Sequence, residues 1–268
     1  YFAEKAKIHY IIIYIYDTNL LQHPDAGVRH LQFIYHSIEA LNKTLEISNK
    51  SVSICYGNSL DIFEYLYTKF DIDTVFSHNE SGTVSSWNRD KGISKFCIRH
   101  NISWQQSQKN GVVRGLKNRT DWAKLWNNYM SRPVIKNTFK KAETIEFSHP
   151  FSLPEKLQKQ LQHYPKSFQP AGENMAWRYL NSFLKERGFN YQKHISKPTE
   201  SRISCSRISP FLSWGNLSVR QVFQYVNMHP NAQKRKRTFS AMLTRLHWHC
   251  HFVQKFEMEC SYETQCIN

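Results

Sequence analysis

Residues 8–17 read IHYIIIYIYD, an unbroken run of β-branched and aromatic side chains with no polar alternation. Such a run is a strand covered on both faces, and it is too short to cross a bilayer as a helix. A strand buried on both sides needs helices above and below it, which commits the surrounding chain to an α/β layer with parallel strands. The residues that follow agree. VRHLQFIYHSIEALNKTLEI (28–47) places Leu31, Ile34, Tyr35, Ile38, Leu41 and Leu45 at helical spacing. SVSICYG (51–57) is a second strand, and SLDIFEYLYTKF (59–70) is a helix with Ser59 as its N-cap. IDTVFSH (72–78) is a third strand, a helix runs from about Thr83 to Asn101, and ISW (102–104) is a short last strand. The expected fold class is a doubly wound, Rossmann-like parallel sheet followed by a mainly α-helical domain. YFAEKAK then reads as the end of a helix whose preceding strand is missing, and both ends of the chain read as cut.

Residues 105–171 show little periodicity apart from a helix around DWAKLWNNYM (121–130), and they hold Pro133, Pro150, Pro154, Pro165 and Pro170. This is the pattern of a long interdomain connection lying against the surfaces it joins. From Gly172 the chain turns helical. ENMAWRYLNSFLKERG (173–188) puts Ala176, Leu180, Phe183 and Leu184 on one face and ends at Gly188, read as a C-cap. The expected organisation is an α/β domain over 1–130, a linker over 131–171 and a helical domain over 172–268.

Lys and Arg number 36 against 21 Asp and Glu, a formal net charge of +15, which favours a polyanionic partner such as nucleic acid over an acidic protein. The basic run Lys234, Arg235, Lys236 and Arg237 follows HPNA in what reads as a loop. It is either a solvated loop, a phosphate contact or a localisation signal. The six cysteines are scattered, without a CxxC pair or zinc spacing, and read as reduced thiols of a cytoplasmic protein with no metal, nucleoid-associated in a bacterium and nuclear or organellar in a eukaryote; Cys260 and Cys266 alone leave a structural metal open, and a monomer is expected.

In SRISCSRISPFLSWGNLSVR (201–220), six serines and three arginines precede an apolar segment. Ser209 followed by Pro210 reads as a helix start, and a second helix opens at Asn216 or Ser218. Unpaired N–H groups at a helix start, with hydroxyls from Ser204, Ser206 and Ser209 beside them, suit a diphosphate, while serine-rich caps without ligands are also common. Arg207 either supplies charge or holds a structural carboxylate.

The run SCSRISPFLSWGNLSVRQV resembles the flavin-binding signature of the cryptochrome and DNA photolyase family, in which T-S-R-L-S-P is followed by an apolar residue, a glycine and S-x-R. GENMAWRYLNSFLKERGFNYQKHISKP is similar to that family's approach to the pocket, and RLHWHCHFVQKFE to its W-R-E-F helix. IIIYIYDTNLL, CYGNSLDIFEYL and SHNESGTVSSWNRDKGISKFC, with Arg89 and Asp90, match its first domain. The resemblance implies an N-terminal antenna-type domain, whose pigment is of the folate or deazaflavin type, and a helical domain that binds FAD. It places Tyr191 near the phosphates and Cys205, Ser206, Arg207, Ile208 and Ser209 on the signature. Arg245, Trp248, His249 and Phe252 fall on the later helix.

Three positions depart from the family pattern, one being His249, which falls where an arginine commonly approaches the flavin phosphates. Cys205 stands where a threonine is usual, and Arg245 where many dimer photolyases carry a glutamate that hydrogen-bonds the lesion; an arginine has no acceptor to offer. The activity implied is blue-light-driven repair of pyrimidine dimers in UV-damaged DNA by electron transfer from reduced FAD, a carbon–carbon lyase reaction, with Lys234 to Arg237 on the DNA backbone. The alternative within the family is a cryptochrome-type photoreceptor without repair. Outside it stands a nucleotide-binding α/β protein whose basic charge serves RNA or DNA. For Trp248, His251 and Phe252 the plainer reading is helix packing into the core.

Overall fold

The computed structural model describes residues 1–6, 8–141 and 147–266. In chain order the elements are α1 (Phe2–Ala6), β1 (Ile12–Asp17), α2 (Thr18–Leu21), α3 (Val28–Leu45), β2 (Val52–Gly57), α4 (Ser59–Lys69), β3 (Thr74–His78), α5 (Val84–Arg99) and β4 (Ser103–Ser107). They continue as α6 (Trp122–Ser131), α7 (Glu155–Gln162), α8 (Glu173–Lys185), α9 (Tyr191–His194), α10 (Pro198–Ser204), α11 (Ser209–Ser213), α12 (Val219–Met228) and α13 (Lys236–Met258). The chain forms an N-terminal α/β region followed by a predominantly helical one. The chain also divides into two compact units, one of residues 1–107 with 135–170 and 263–265, the other chiefly of 108–134 and 171–262.

In the first unit the strands pair in parallel, as the alternation of strand and helix requires. Among the described residues they form two two-stranded ladders, β1 with β2 and β3 with β4, rather than one continuous sheet. β1 is covered on both faces. Tyr14 and Tyr16 turn to a cluster with Ile34, Ile38 and Leu161 from α3 and α7, and Ile13 and Ile15 turn to Cys55, Ile62 and Leu66. α7 is tied to α3 by Gln32, whose Nε2 donates to the carbonyls of Gln160 (2.8 Å) and His163 (2.5 Å).

Ser59 is the first residue of α4 and not its cap. Asn58 caps the helix by accepting from the Leu60 N–H at 2.8 Å. Ser59 is instead buried against Asp17, whose carboxylate accepts from the Ser59 N–H and hydroxyl and from the Asn19 N–H. One buried carboxylate thereby ends β1 and starts two helices.

In the second unit α8 carries the expected buried face, Ala176, Leu180, Phe183 and Leu184. It stops at Lys185, before Gly188. Gly188 lies in a short 3₁₀ turn, where a Cβ would come within 2.7 Å of the Phe183 ring and of its carbonyl oxygen. The glycine serves close approach, not a C-cap.

Residues 108–134 join this unit through side-chain amides. The fully buried Gln254 of α13 accepts from the Val113 N–H (2.7 Å) and donates to its carbonyl (2.9 Å). Gln224 of α12 donates to the carbonyls of Met130 and Arg132, closing the end of α6. Trp126 meets Phe223 at 5.2 Å and His247 at 4.7 Å between ring centres.

Candidate functional site

The serine-rich stretch folds into α10, a loop and the short α11, and its conformation is set by a residue outside it. The chain is extended at Cys205, and Arg207 has a left-handed backbone with φ of 59° before Ile208 returns to the right-handed region. Residues other than glycine adopt that conformation only where their surroundings hold them. The holding group is Arg187. Its Nε donates to Ser182 Oγ (2.9 Å), Nη1 to the carbonyls of Ile203 (2.8 Å) and Cys205 (2.7 Å), and Nη2 to those of Tyr179 (2.9 Å) and Ser206 (3.4 Å). His194 Nδ1 lies 2.7 Å from the buried Ser204 hydroxyl. Sequence reasoning missed both: an arginine next to a glycine at a helix end reads as a solvated dipole partner, and nothing in its neighbours says otherwise.

Ser209 does not act as a cap. It is the exposed first residue of α11, the cap position is Ile208, and no side chain bonds the free N–H groups there. The second helix does start as expected at Ser218, which accepts from the Gln221 N–H while Gln221 returns a bond to the Ser218 N–H.

Around Cys205 the expected residues converge. Burial pushes its thiol up, against the pull of Arg187, Arg207 and Arg245. The Tyr191 hydroxyl is likewise raised, chiefly by burial and then by Cys205, while Arg245 hydrogen-bonds it and pulls the other way. Tyr191 is buried edge-on to Phe183 at 5.2 Å. Arg245 itself is exposed, with its guanidinium 4.6 Å from the Trp248 ring centre. Tyr191, Cys205, Arg207, Arg245 and Trp248 thus belong to one electropositive, aromatic-edged locus. Ser206 contributes its carbonyl to Arg187, and Ile208 is a core residue at 3% exposure.

His249 is buried deeper. Its pKa lies below the ordinary histidine range, first through burial and then through Lys109, and its Nε2 is a buried atom with no hydrogen-bond partner among the described residues. At neutral pH it is an uncharged imidazole. Core packing holds for His251, whose ring sits 5.7 Å from Trp122 and 3.2 Å from the Arg119 guanidinium. It does not hold for Trp248 and Phe252, which are 45% and 63% exposed on the outer face of α13.

The basic run is not wholly a loop: Lys236 and Arg237 form the first turn of α13. Lys234, Lys236 and Arg237 are exposed, and Arg235 rests over the Phe189 ring at 5.7 Å. With Gln233, Phe189 and Thr238 they line a shallow recess of about 360 Å³. In the first unit, Arg89 donates to Asp90 (2.7 Å) and Glu80 (2.5 Å). No group of His, Cys, Asp and Glu among the described residues has the arrangement of a metal site, and no described helix is long and apolar enough to cross a membrane.

Known proteins resemble this chain in fold over nearly its whole length. A class III photolyase from Agrobacterium tumefaciens superposes with a TM-score of 0.75 at 17% identity, covering 99% of this chain and 57% of its own. An archaeal photolyase from Sulfolobus tokodaii, solved with two FAD molecules, gives 0.68 at 16% identity, covering 96% and 55%. A cryptochrome from Synechocystis gives 0.72 at 15%, covering 95% and 57%. The chain therefore spans somewhat more than half the length of these structures, and no curated protein matches it. Residues 2–129 match the family model described as DNA photolyase. Residues 2–129 thus carry the sequence pattern of the DNA photolyase family, and the chain has the fold of these photolyase and cryptochrome structures along nearly its whole length.

Proposed function

We propose that this chain is part of a flavin-dependent, blue-light-driven photolyase that repairs pyrimidine dimers in UV-damaged DNA. The observation that carries the reading is the loop at Cys205–Arg207, where Arg187 bonds the Cys205 carbonyl at 2.7 Å and Arg207 stands two residues on, together with Arg245 stacked on exposed Trp248. The donor set fits FAD. Guanidinium groups suit a diphosphate, an exposed aromatic edge suits a flat ring system, and the unpartnered His249 Nε2 is a polar atom that a ligand would satisfy. When bound and reduced, the flavin would supply the light-driven electron for ring splitting.

The protein's own part is placement. Arg207 and Arg245 would hold the anionic end of the cofactor, with the buried Tyr191 near Arg245. Exposed Trp248 and Phe252 give an apolar wall against water beside a damaged base pair, which leaves the helix at lower cost than an intact one. Lys234, Arg235, Lys236 and Arg237 hold the phosphodiester backbone without reading sequence. A folate or deazaflavin antenna belongs to the same reading of the first unit.

One observation favours a second reading, a cryptochrome-type photoreceptor without repair. Arg245 is exposed and stacked, so the position offers a lesion donors but no acceptor. The two are separated by incubating the whole polypeptide that carries these residues, with reduced FAD, on an oligonucleotide bearing one cyclobutane thymine dimer. Restored thymines under blue light and none in darkness establish the photolyase. A bound, photoreducible flavin with no restoration establishes the photoreceptor, and absence of flavin binding removes both.

A further inference from the structure

The resemblance assigns Arg187 no role, yet every donor of its guanidinium is committed. An arginine has five N–H donors. All five are used here, on Ser182 Oγ and on the carbonyls of Tyr179, Ile203, Cys205 and Ser206. None is left for a ligand. The group is half-buried, and burial lowers its pKa, with neighbouring Arg207 adding to the effect. Its hydrogen-bond partners are dipoles, so its full charge stays in the loop rather than being cancelled by a carboxylate.

The geometry has a second consequence. In a planar trans peptide the N–H of the next residue points away from the preceding carbonyl. Turning the carbonyls of Cys205 and Ser206 inward onto Arg187 therefore turns the N–H groups of Ser206 and Arg207 outward, away from it. The left-handed Arg207 followed by right-handed Ile208 brings successive N–H groups toward one side, the arrangement in which backbone amides gather around an anion.

We propose that Arg187 is the positioning residue of segment 203–207, the end of α10 and the loop after it: it never touches the anionic ligand, but it orients the loop's peptide groups and biases the loop with a fixed positive charge. The proposal rests on the reading of this loop as the cofactor's phosphate cradle, and its test separates the two.

The test uses the whole polypeptide with Arg187→Lys and Arg187→Ala. Lysine keeps the charge but has three donors on a flexible stem and cannot bridge carbonyls of Tyr179, Ile203, Cys205 and Ser206 together. Amide hydrogen exchange is measured without ligand, and FAD affinity by flavin fluorescence. In Arg187→Lys the amides of 203–207 are expected to exchange at least about tenfold faster while α12 and α13 keep their protection. FAD binding should weaken roughly 100-fold, the scale on which displaced supporting residues reduce affinity at organised sites. Guanidinium ion should restore loop protection and affinity to Arg187→Ala, and methylammonium at equal ionic strength should not. Unchanged loop exchange in Arg187→Lys overturns the proposal, even if FAD still binds. If the parent protein binds no FAD, the cofactor reading fails and the exchange and rescue results alone decide the role of Arg187. Should Arg187→Ala not fold, the lysine variant carries the test.

Discussion

The two units of this protein differ in how they hold positive charge. In the first, ion pairs predominate: Lys50 bonds Glu4 at 2.7 Å, Arg89 lies between Glu80 and Asp90, and Arg99 pairs with Glu64, while Arg29 lies over Phe168 and Lys69 over Tyr65. In the second, the ion pair between Arg114 and Glu257 stands beside arginines with other company. Arg187 is held by carbonyl dipoles, Arg220 lies over Tyr129, Arg235 over Phe189 and Arg245 over Trp248. A charge paired with a carboxylate is cancelled locally, whereas one resting on a ring or a carbonyl keeps its field. The first unit cancels more of its charge within itself, and the second leaves more of its positive field in place.

The largest expected effect lies in the first unit. Asp17→Ala strands the N–H groups of Asn19 and Ser59 at the starts of α2 and α4. It should lower stability by about 3 kcal/mol in urea unfolding, with little change in anion affinity. An unmoved urea midpoint would show that the first unit does not depend on its buried carboxylate, and the contrast would break there.

Next comes the second unit's basic run. Replacing Lys234, Arg235, Lys236 and Arg237 together by serine should weaken DNA binding by roughly 100-fold at low salt and reduce the salt slope by up to about three to four, with the urea midpoint nearly unchanged. A wild-type slope would remove this run from the interface.

Acidification should act on stability through His149 of the first unit, whose pKa burial lowers, and chiefly through the second unit. His229, His247, His249 and His251 all have pKa values held below the ordinary range, in each case chiefly by burial. The unfolded chain therefore binds protons that the folded one refuses. The stability is fully present above the unfolded histidine pKa and is lost as pH falls through that value toward the depressed folded ones. Urea midpoints between pH 8 and 5 should fall over the acid half of that range, and replacing His249 by Gln should flatten the decline; a flat profile would contradict the assignment.

The smallest effect is a control. Lys159 and Glu155 form an exposed i, i+4 pair, and Lys159→Ala should change stability by no more than about 0.5 kcal/mol.

Much of this was legible in the chain. The apolar run at 8–17 specified a doubly covered strand, and the order of periods specified parallel pairing, because both follow from local pattern and from the need to bury each face. The signature at 205–209 marked the candidate site, since a loop's chemistry is written in consecutive residues. Other features were not legible. Ser59 and Ser209 both looked like helix caps, but one bonds a carboxylate 42 residues away and the other faces solvent without capping anything. Gly188 looked like a helix terminator, while its real constraint is a ring from the preceding helix.

What the sequence by itself determined, then, is the strand and helix order, the family pattern of residues 2–129, the basic surplus and the place of the serine-rich loop, all of which depend on residues near one another in the chain. Only the tertiary structure decided that Gln254 completes the bonding of Val113, that Arg245 rests on Trp248 with Tyr191 beside it, and that Arg187 spends every donor on carbonyls reached from Tyr179 to Ser206 and on the Ser182 hydroxyl. These are choices among hydrogen-bond partners brought together by packing, and a donor's partner depends on which acceptors burial leaves unsatisfied, which no local pattern records.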